Sequence, residues 1–230
     1  MWNGKMKALT FSYDDGVNTD ERLAAIFDKY GLKCTFNLNG CNLFHKGSCP
    51  EARKCKFDNS SITYVPVEDF STVYKNHEIA LHSYSHPRLE ELDRAGIEYE
   101  IKSDIAALDG VLGKKPVGMA YPFGTYNDTV VDVLRENGVK YARAVKPTYS
   151  FDLQSDLLRF YPTCRHGDER LFELADEFLN ATPTGPMLFF VWGHSYEFAD
   201  NNNWDLIERF CEYVSGRDDI YYCTNAEALL

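Results

Sequence analysis

Short apolar runs alternate with amphipathic segments along almost the whole chain, and this alternation limits the possible folds more than any other feature. The apolar runs predict strands at residues 7–13, 33–38, 78–82, 117–121, 141–145, 158–162, 187–192 and 220–223. Helical spacing of apolar residues predicts helices at residues 20–30, 95–112, 127–137, 169–180 and 204–214. Strands that alternate with helices in this way pair in parallel. The sequence therefore predicts an α/β fold with a mostly parallel sheet.

Length and composition set limits on the class of protein. The chain has 230 residues, of which 44% are hydrophobic and 14% aromatic, so it contains enough apolar material for a folded core. No linker or internal repeat is visible, which predicts one domain over residues 1–230. Residues 39–63 break the pattern and are interpreted as an inserted surface loop that carries cysteines. The formal net charge of −11 argues against a nucleic-acid partner, and the oligomeric state stays open.

Cysteine usage and the lack of long apolar segments indicate the compartment. The seven cysteines are an odd number, and the first residues hold no apolar stretch of signal-peptide length. No window approaches the roughly 18 apolar residues that cross a bilayer, so we expect a reduced, cytoplasmic protein without membrane association. Cys41, His45, Cys49 and Cys55 could hold a structural zinc, but their spacing fits common zinc motifs poorly. Reduced surface thiols are the favoured interpretation.

Polar side chains stand at the carboxyl ends of several predicted strands, which is where parallel α/β folds carry their chemistry. Asp14 and Asp15 follow the first strand, and His82 and His86 follow the third. His194 comes two residues after the strand at 187–192. One carboxylate and two histidines are enough to hold a divalent metal ion with one position left open. Hydrolysis assisted by a single metal ion is therefore the leading interpretation.

Each of these residues also has a plainer interpretation. The Asp-Asp-Gly segment at 14–16 is good turn chemistry, and two histidines spaced by four residues occur by chance. His194 is either a core histidine or a general acid, because imidazole titrates near neutral pH. His166 lies at another predicted strand end and is a candidate for lining the substrate site. Tyr121 and Trp192 are candidates for the same place, although such aromatic residues also form core.

The order of these motifs resembles that of the NodB-type polysaccharide deacetylases, carbohydrate esterase family 4. Residues 10–16 are similar to the first motif of that family, Thr-Phe-Asp-Asp-Gly, with Ser12-Tyr13 inserted before the aspartate pair. Residues 82–86 match the second motif, His-Ser/Thr-x-x-His, without departure. Residues 188–194 resemble the last motif, in which a histidine follows an apolar strand. Two such motifs in this order are specific, whereas either one alone is not.

The resemblance implies a fold, a reaction and a role for each matched residue. The fold of the family is a distorted (β/α) barrel of about seven strands. Its reaction is the metal-dependent removal of an acetyl group from an acetylated sugar or a related amide, with one divalent ion, most often Zn²⁺. The implied roles are metal ligands at Asp15, His82 and His86, a general base at Asp14, a general acid at His194, and an oxyanion contact from the backbone N–H of Phe123.

Two departures from the family pattern leave other functions open, one in the third motif and one in the fourth, near which residues 163–166 contain no Asp-Trp. The third motif, Arg-x-Pro-Tyr/Phe, is matched only in Pro122-Phe123, because Ala120 stands where the family has an arginine that orients the base. Arg165 and Arg143 are the candidates to replace that arginine. The alternatives are a degenerate relative that binds metal and carbohydrate without turnover, and a different carbon–nitrogen amidase on the same scaffold. The expected compartment favours a soluble small substrate over cell wall.

Overall fold

The computed structural model describes residues 2–43 and 61–230, which form a curled parallel sheet with helices packed on its outer face. The strands are β1 Lys7–Asp14, β2 Cys34–Leu38, β3 Glu78–Leu81, β4 Gly118–Ala120, β5 Tyr141–Arg143, β6 Cys164–Arg165, β7 Met187–Gly193 and β8 Ile220–Tyr222. The helices are α1 Asp20–Lys29, α2 Phe70–Val73, α3 Arg94–Leu112, α4 Asp128–Glu136, α5 Leu171–Asn180, α6 Tyr196–Asp200, α7 Trp204–Val214 and α8 Asn225–Leu229.

The sheet has one continuous path of seven strands in the order β5-β4-β3-β2-β1-β7-β6, and β8 pairs with the first residues of β1. The pairings between these strands are parallel. The two edges of the sheet approach each other, since Phe160 bridges to Arg143 of β5 and the residues just after it form β6 beside β7. The predicted α/β fold, a distorted barrel of about seven strands, is therefore confirmed.

Strand β1 lies at the centre of the sheet and is buried on both faces. Phe11 packs outward against Phe27 of α1 and Phe210 of α7, with ring centroids 4.6 Å and 6.1 Å apart. Ser12 faces the opposite way and accepts a hydrogen bond from Arg143 of β5 inside the curl. Successive residues of a strand point to opposite faces, so β1 supplies apolar residues to the helices and polar residues to the interior of the barrel.

The structure tests two details of the sequence interpretation. The register of β1 with β2 runs without a break from Phe11–Cys34 to Asp14–Asn37, so Ser12-Tyr13 lie in regular strand and produce no bulge. The predicted strand at 158–162 is wrong, because the Asp156 side chain accepts a hydrogen bond from the N–H of Leu158 and turns the chain at 157–159.

The start of the predicted insert at 39–63 lies in the protein interior rather than on the surface. Asn39 is buried, and its side-chain amide donates hydrogen bonds to the carbonyl oxygens of His82 and Ser83 at 2.6 Å and 3.0 Å. Its last residue, Thr63, accepts a hydrogen bond from the backbone N–H of Asn18 at 2.7 Å, and the next residue, Tyr64, bridges to Val17. His45, Cys49 and Cys55 lie outside the described residues. Within the described residues, no helix has both the length and the apolar character needed to cross a bilayer.

Candidate active site

Asp15, His82 and His86 meet at the carboxyl edge of the sheet. The Nε2 atoms of His82 and His86 lie 3.6 Å and 3.7 Å from Oδ1 of Asp15, and one ligand atom from each residue lies within 4.8 Å of the others. Asp15 and His86 have φ angles of 83° and 60°. Non-glycine residues rarely adopt such angles, and strained backbone of this kind concentrates at functional sites.

The donor set and its spacing fit a divalent metal ion. Zinc binds imidazole nitrogen and carboxylate oxygen at about 2.0–2.2 Å, which puts the ligand atoms of a tetrahedral site roughly 3.3–3.6 Å apart. The Nδ1 of His82 lies 2.8 Å from the carbonyl oxygen of Ala120, so Nδ1 carries the proton and Nε2 keeps its lone pair for a metal. Burial lowers the pKa of His82, which favours the neutral ring that a metal ligand must be.

Two carboxylates of α3 hold the segment that carries the histidines. Asp104 accepts hydrogen bonds from the backbone N–H groups of Gly40 and His82 at 2.7 Å and 3.0 Å. Glu100 accepts from the backbone N–H and the hydroxyl of Ser85 at 2.8 Å and 2.7 Å. The sequence interpretation missed both acids. The signal was available, because Asp104 stands within the apolar stripe of α3, where an acid needs a partner.

Asp14 is held inside the barrel by an arginine from the far side of the sheet. One terminal nitrogen of Arg143 donates to both carboxylate oxygens of Asp14, at 2.5 Å and 2.6 Å, and the Asn37 amide donates to Oδ1 at 2.8 Å. Burial by itself would raise the pKa of Asp14, but the charge of Arg143, together with His82 and His194, brings it below the ordinary value. Asp14 is therefore an ionised carboxylate at neutral pH.

Arg143 lies beside Ala120 in the sheet. The two residues are direct register partners on the neighbouring strands β4 and β5, so their side chains point to the same face of the sheet. Arg143 is fully buried. Arg165, the other candidate, instead forms an ion pair with Glu197. The guanidinium contact that Ala120 cannot make thus comes from the next strand along the sheet.

His194 follows β7 and is paired with an acid of α6. Its Nδ1 lies 2.7 Å from Oε1 of Glu197. Burial lowers the pKa of His194. The hydrogen bond to Glu197 and the nearby charges of Asp15 and Asp14 raise it by more, so the pKa lies above its ordinary value. His166, at the end of β6, contacts the other oxygen of Glu197 at 3.0 Å. Sequence reasoning missed Glu197, although its place three residues after His194 at the start of a helix is a usable signal.

The aromatic residues named from the sequence lie in different environments. Phe123 is 49% exposed, with a φ of 58°, and its ring lies 4.7 Å from that of His86. Trp192 is 9% exposed and lies 5.7 Å from the ring of His194, with the guanidinium of Arg143 4.8 Å from the indole centroid. Tyr121 is 1% exposed and donates its hydroxyl proton to a backbone carbonyl. It therefore offers a substrate almost no surface.

A buried acid links α1 to the segment that carries His194. Asp20 accepts hydrogen bonds from the hydroxyl groups of Ser195 and Tyr74, at 2.5 Å and 3.0 Å. Burial raises the pKa of Asp20 to about 8, although the two hydrogen bonds act in the opposite direction. Asp20 is therefore largely protonated in the folded protein at neutral pH.

We expect Asp20→Asn to gain stability relative to the wild type as the pH rises. The pKa of Asp20 is higher in the folded state than its unfolded value of about 3.9, so its contribution to stability is complete below about pH 4 and is lost as the pH rises through about 8. Asparagine does not titrate and lacks this loss. Urea unfolding of both proteins at pH 5 and pH 8 measures the effect. An equal difference in unfolding free energy at the two pH values would contradict it.

Comparison with known proteins gives a consistent set of similarities. The family model described as polysaccharide deacetylase matches residues 3–142. A chitin deacetylase from Pestalotiopsis sp is 32% identical over 154 residues, which are 66% of this chain and 45% of that protein. The chain thus spans less than half the length of that relative.

Solved structures share the fold at low sequence identity. A Mycobacterium smegmatis protein of the polysaccharide deacetylase type superposes with a TM-score of 0.66 at 18% identity, over 98% of this chain and 90% of that chain. A CE4 family pseudoenzyme from Bacillus anthracis superposes with a TM-score of 0.55 at 17% identity, over 100% of this chain and 67% of that chain. At these identities the likeness establishes the fold alone.

Proposed function

Because the chain belongs to the polysaccharide deacetylase family, we propose that it is a metal-dependent hydrolase that removes an acetyl group from an acetylated carbohydrate or a related small amide. The observation that carries the proposal is the meeting of Asp15, His82 and His86 at one edge of the sheet, within electrostatic reach of the ionised Asp14. The similarity to a chitin deacetylase supports carbohydrate as the substrate class.

The metal ligands in this proposal are Asp15, His82 and His86, and zinc is the first candidate because two imidazoles and a carboxylate suit it. Such an ion supplies Lewis-acid chemistry, since it polarises a carbonyl group and makes water more acidic. The fixed tautomer of His82 and the acids of α3 that hold the His82–His86 segment prepare the ligands for binding.

Asp14 is the general base of the proposed reaction. It takes a proton from the water that attacks the acetyl carbonyl carbon, and Arg143 and Asn37 keep its carboxylate ionised and fixed in place. The negative charge that develops on the acetyl oxygen is stabilised by the backbone N–H of Phe123, whose positive φ is unusual for a phenylalanine. The exposed ring of Phe123 is the main surface offered to the sugar, whereas Trp192 is largely buried and offers little.

His194 is the general acid. An amine leaves poorly unless it is protonated, so the deacetylation of an amide needs a proton donor beside the leaving nitrogen. The hydrogen bond from Nδ1 to Glu197 leaves Nε2 as the donor available to the substrate. The hydrogen bond to Glu197 and the charges of Asp15 and Asp14 raise the pKa of His194, which favours the protonated ring that this role needs.

The degenerate alternative depended on Ala120 and on the absent fourth motif of the family. The contact of Arg143 with Asp14 supplies the guanidinium that Ala120 lacks. Binding alone would not require a carboxylate held by a buried arginine, or an imidazole with a raised pKa. No feature of the described residues favours a cyclic amide over an acetylated sugar. Both alternatives are therefore kept as outcomes of the test.

Removal of the metal is expected to lower acetate release from N-acetylglucosamine oligomers by at least about tenfold, and added Zn²⁺ is expected to restore it. Asp15→Ala is expected to lose both bound metal and activity, because it removes the one carboxylate among the proposed ligands. Acetate assays and metal analysis of the purified protein measure both effects.

The outcomes separate the three functions. If the metal-free protein in a chelator releases acetate as fast as the metal-loaded protein, the proposed mechanism is contradicted. Metal and oligosaccharide binding without acetate release, over a panel of N- and O-acetylated sugars, identifies a degenerate relative. Hydrolysis of cyclic amides in preference to acetylated sugars identifies a different amidase.

A further inference from the structure

A chain of hydrogen bonds continues behind His194 into the core. Oε2 of Glu197 lies 3.0 Å from Nε2 of His166, and Nδ1 of His166 lies 3.1 Å from the hydroxyl oxygen of Tyr13. His166 is 3% exposed and Tyr13 is fully buried. The chain therefore runs from the proposed general acid, through one carboxylate and a second imidazole, to a tyrosine of β1.

Each group in this chain has one consistent donor and acceptor role. The Tyr13 hydroxyl donates to Nδ1 of His166, and Nε2–H of His166 donates to Glu197. Glu197 also accepts from Nδ1–H of His194. Burial lowers the pKa of His166, and the hydrogen bond to Glu197 only partly offsets this, so a neutral ring with its proton on Nε2 fits both neighbours. Burial raises the pKa of Tyr13, which keeps its hydroxyl protonated as the donor.

The packing around His166 fixes its ring. The ring stacks on Tyr13 with a centroid distance of 5.5 Å and an interplanar angle of 14°, and it lies 4.2 Å from the ring of Phe198. A Cβ atom on Gly193 would lie 1.9 Å from Nδ1 of His166. Only glycine next to His194 therefore leaves room for the second imidazole. The end of β7, directly before His194, thus provides the space that the His166 ring fills.

We propose that His166 is a positioning residue for His194: it orients the Glu197 carboxylate, and Glu197 in turn orients the imidazole that protonates the leaving amine. This inference rests on the proposed function and extends it to a residue that does not touch the substrate. Tyr13 adjoins Asp14 in the sequence and faces the opposite side of β1. Strand β1 thus carries both the proposed base, Asp14, and Tyr13, the last residue of the hydrogen-bond chain behind His194.

The plainer explanation is that His166 is a buried histidine whose hydrogen bonds serve stability alone. The chain offers a matched comparison in His77, whose side chain is also buried. His77 accepts a hydrogen bond from the backbone N–H of Cys34, at the start of β2, and packs against Phe27 and Phe36. A role confined to stability predicts the same kind of result for substitutions at either histidine.

The kinetic test compares His166→Ala, His166→Gln and His77→Gln on two substrates. One is an N-acetylglucosamine oligomer, whose amine must be protonated to leave, and the other is 4-nitrophenyl acetate, whose phenolate leaves without a proton. We expect His166→Ala to lower kcat on the amide by about 10–100-fold with little change in KM, by analogy with other residues that orient a ligand from behind. Turnover of the ester should change by less than about threefold, because it does not need the acid.

His166→Gln keeps an N–H where Nε2–H stands, so it should recover most of the amide activity, and His77→Gln should leave the ratio of amide to ester turnover unchanged. Equal losses on both substrates in His166→Ala, or a changed ratio in His77→Gln, would overturn the inference.

A second measurement does not depend on turnover. In ¹⁵N-labelled protein, the Nδ1 proton of His194 should give a slowly exchanging signal in the wild type and in His166→Gln, and fast exchange in His166→Ala. An unchanged signal in His166→Ala overturns the inference whatever the activity. If the wild type releases no acetate and the signal still responds in this way, the proposed function fails and the positioning of His194 by His166 stands.

Discussion

Asp14→Asn is expected to lower acetate release by about 10²–10⁴-fold while the protein keeps its metal ion. General-base catalysis contributes an effect of this size, and an amide cannot accept the proton of the attacking water. The metal should remain because the three proposed ligands are Asp15, His82 and His86, and Asp14 lies beside them without being one. Acetate release and metal content, measured on the same preparation, separate the loss of the base from the loss of the site.

The substitution also removes the charge partner of Arg143. Breaking a buried ion pair typically costs about 3–5 kcal/mol of stability, so activity should be measured well below the unfolding temperature of the variant. Asp20→Asn is the matched control, because it makes the same change at another buried aspartate whose hydrogen bonds go to Ser195 and Tyr74. We expect this control to keep its activity within about threefold. Asp14→Asn protein that is as active as the wild type would exclude Asp14 as the base.

The sequence was sufficient to predict that Asp15, His82 and His86 meet, because their meeting depends on a general property of parallel sheets. The carboxyl ends of β1 and β3 lie at the same edge, so residues just after each strand come together whatever the helices between them do. Asp15 follows β1, and His82 and His86 follow β3. Their meeting therefore needed only the correct assignment of two strands. The predicted seven-strand barrel depended on the same alternation of elements together with the family resemblance.

The contact that holds Asp14 could not be predicted from the sequence, because it depends on the curl of the sheet. Arg143 of β5 and Asp14 of β1 are separated by three strands in the sheet order, yet they form a hydrogen-bonded ion pair. Sequence alone left Arg165 and Arg143 as candidates, because the register of β5 against β4 cannot be read from strands of three residues. The contacts of Glu197 have the same character, since they join β6, β7 and α6.

Arg143→Ala is expected to cost about 3–5 kcal/mol of unfolding free energy and to lower acetate release by about 10²-fold. Asp14 would remain buried without its guanidinium partner. In the wild type, burial raises the pKa of Asp14 and the charge of Arg143 lowers it. When the guanidinium of Arg143 is removed, the effect of burial dominates and the pKa of Asp14 rises. The base would then be protonated over part of the working range, and the acid limb of the pH profile of kcat/KM should move to higher pH.

The register of β4 and β5 allows a stricter test of this role. Ala120 and Arg143 are direct partners, about 4.8 Å apart across the sheet, and face the same side. An arginine introduced at position 120 therefore starts close to the one that has been removed. We expect the double variant Ala120→Arg/Arg143→Ala to regain part of the lost activity and to return the acid limb toward its wild-type position.

Arg143→Lys is the matched control, because lysine keeps the charge but lacks the planar guanidinium, which contacts both oxygens of Asp14 through one nitrogen and the Ser12 hydroxyl through another. It should retain more stability than Arg143→Ala and recover less activity than the double variant. If the double variant regains stability without activity, the arginine serves packing and charge balance alone, and the orientation of Asp14 must come from Asn37. If the acid limb of Arg143→Ala does not move, the ionisation that this limb reports does not depend on Arg143, and the proposed electrostatic role of Arg143 is excluded.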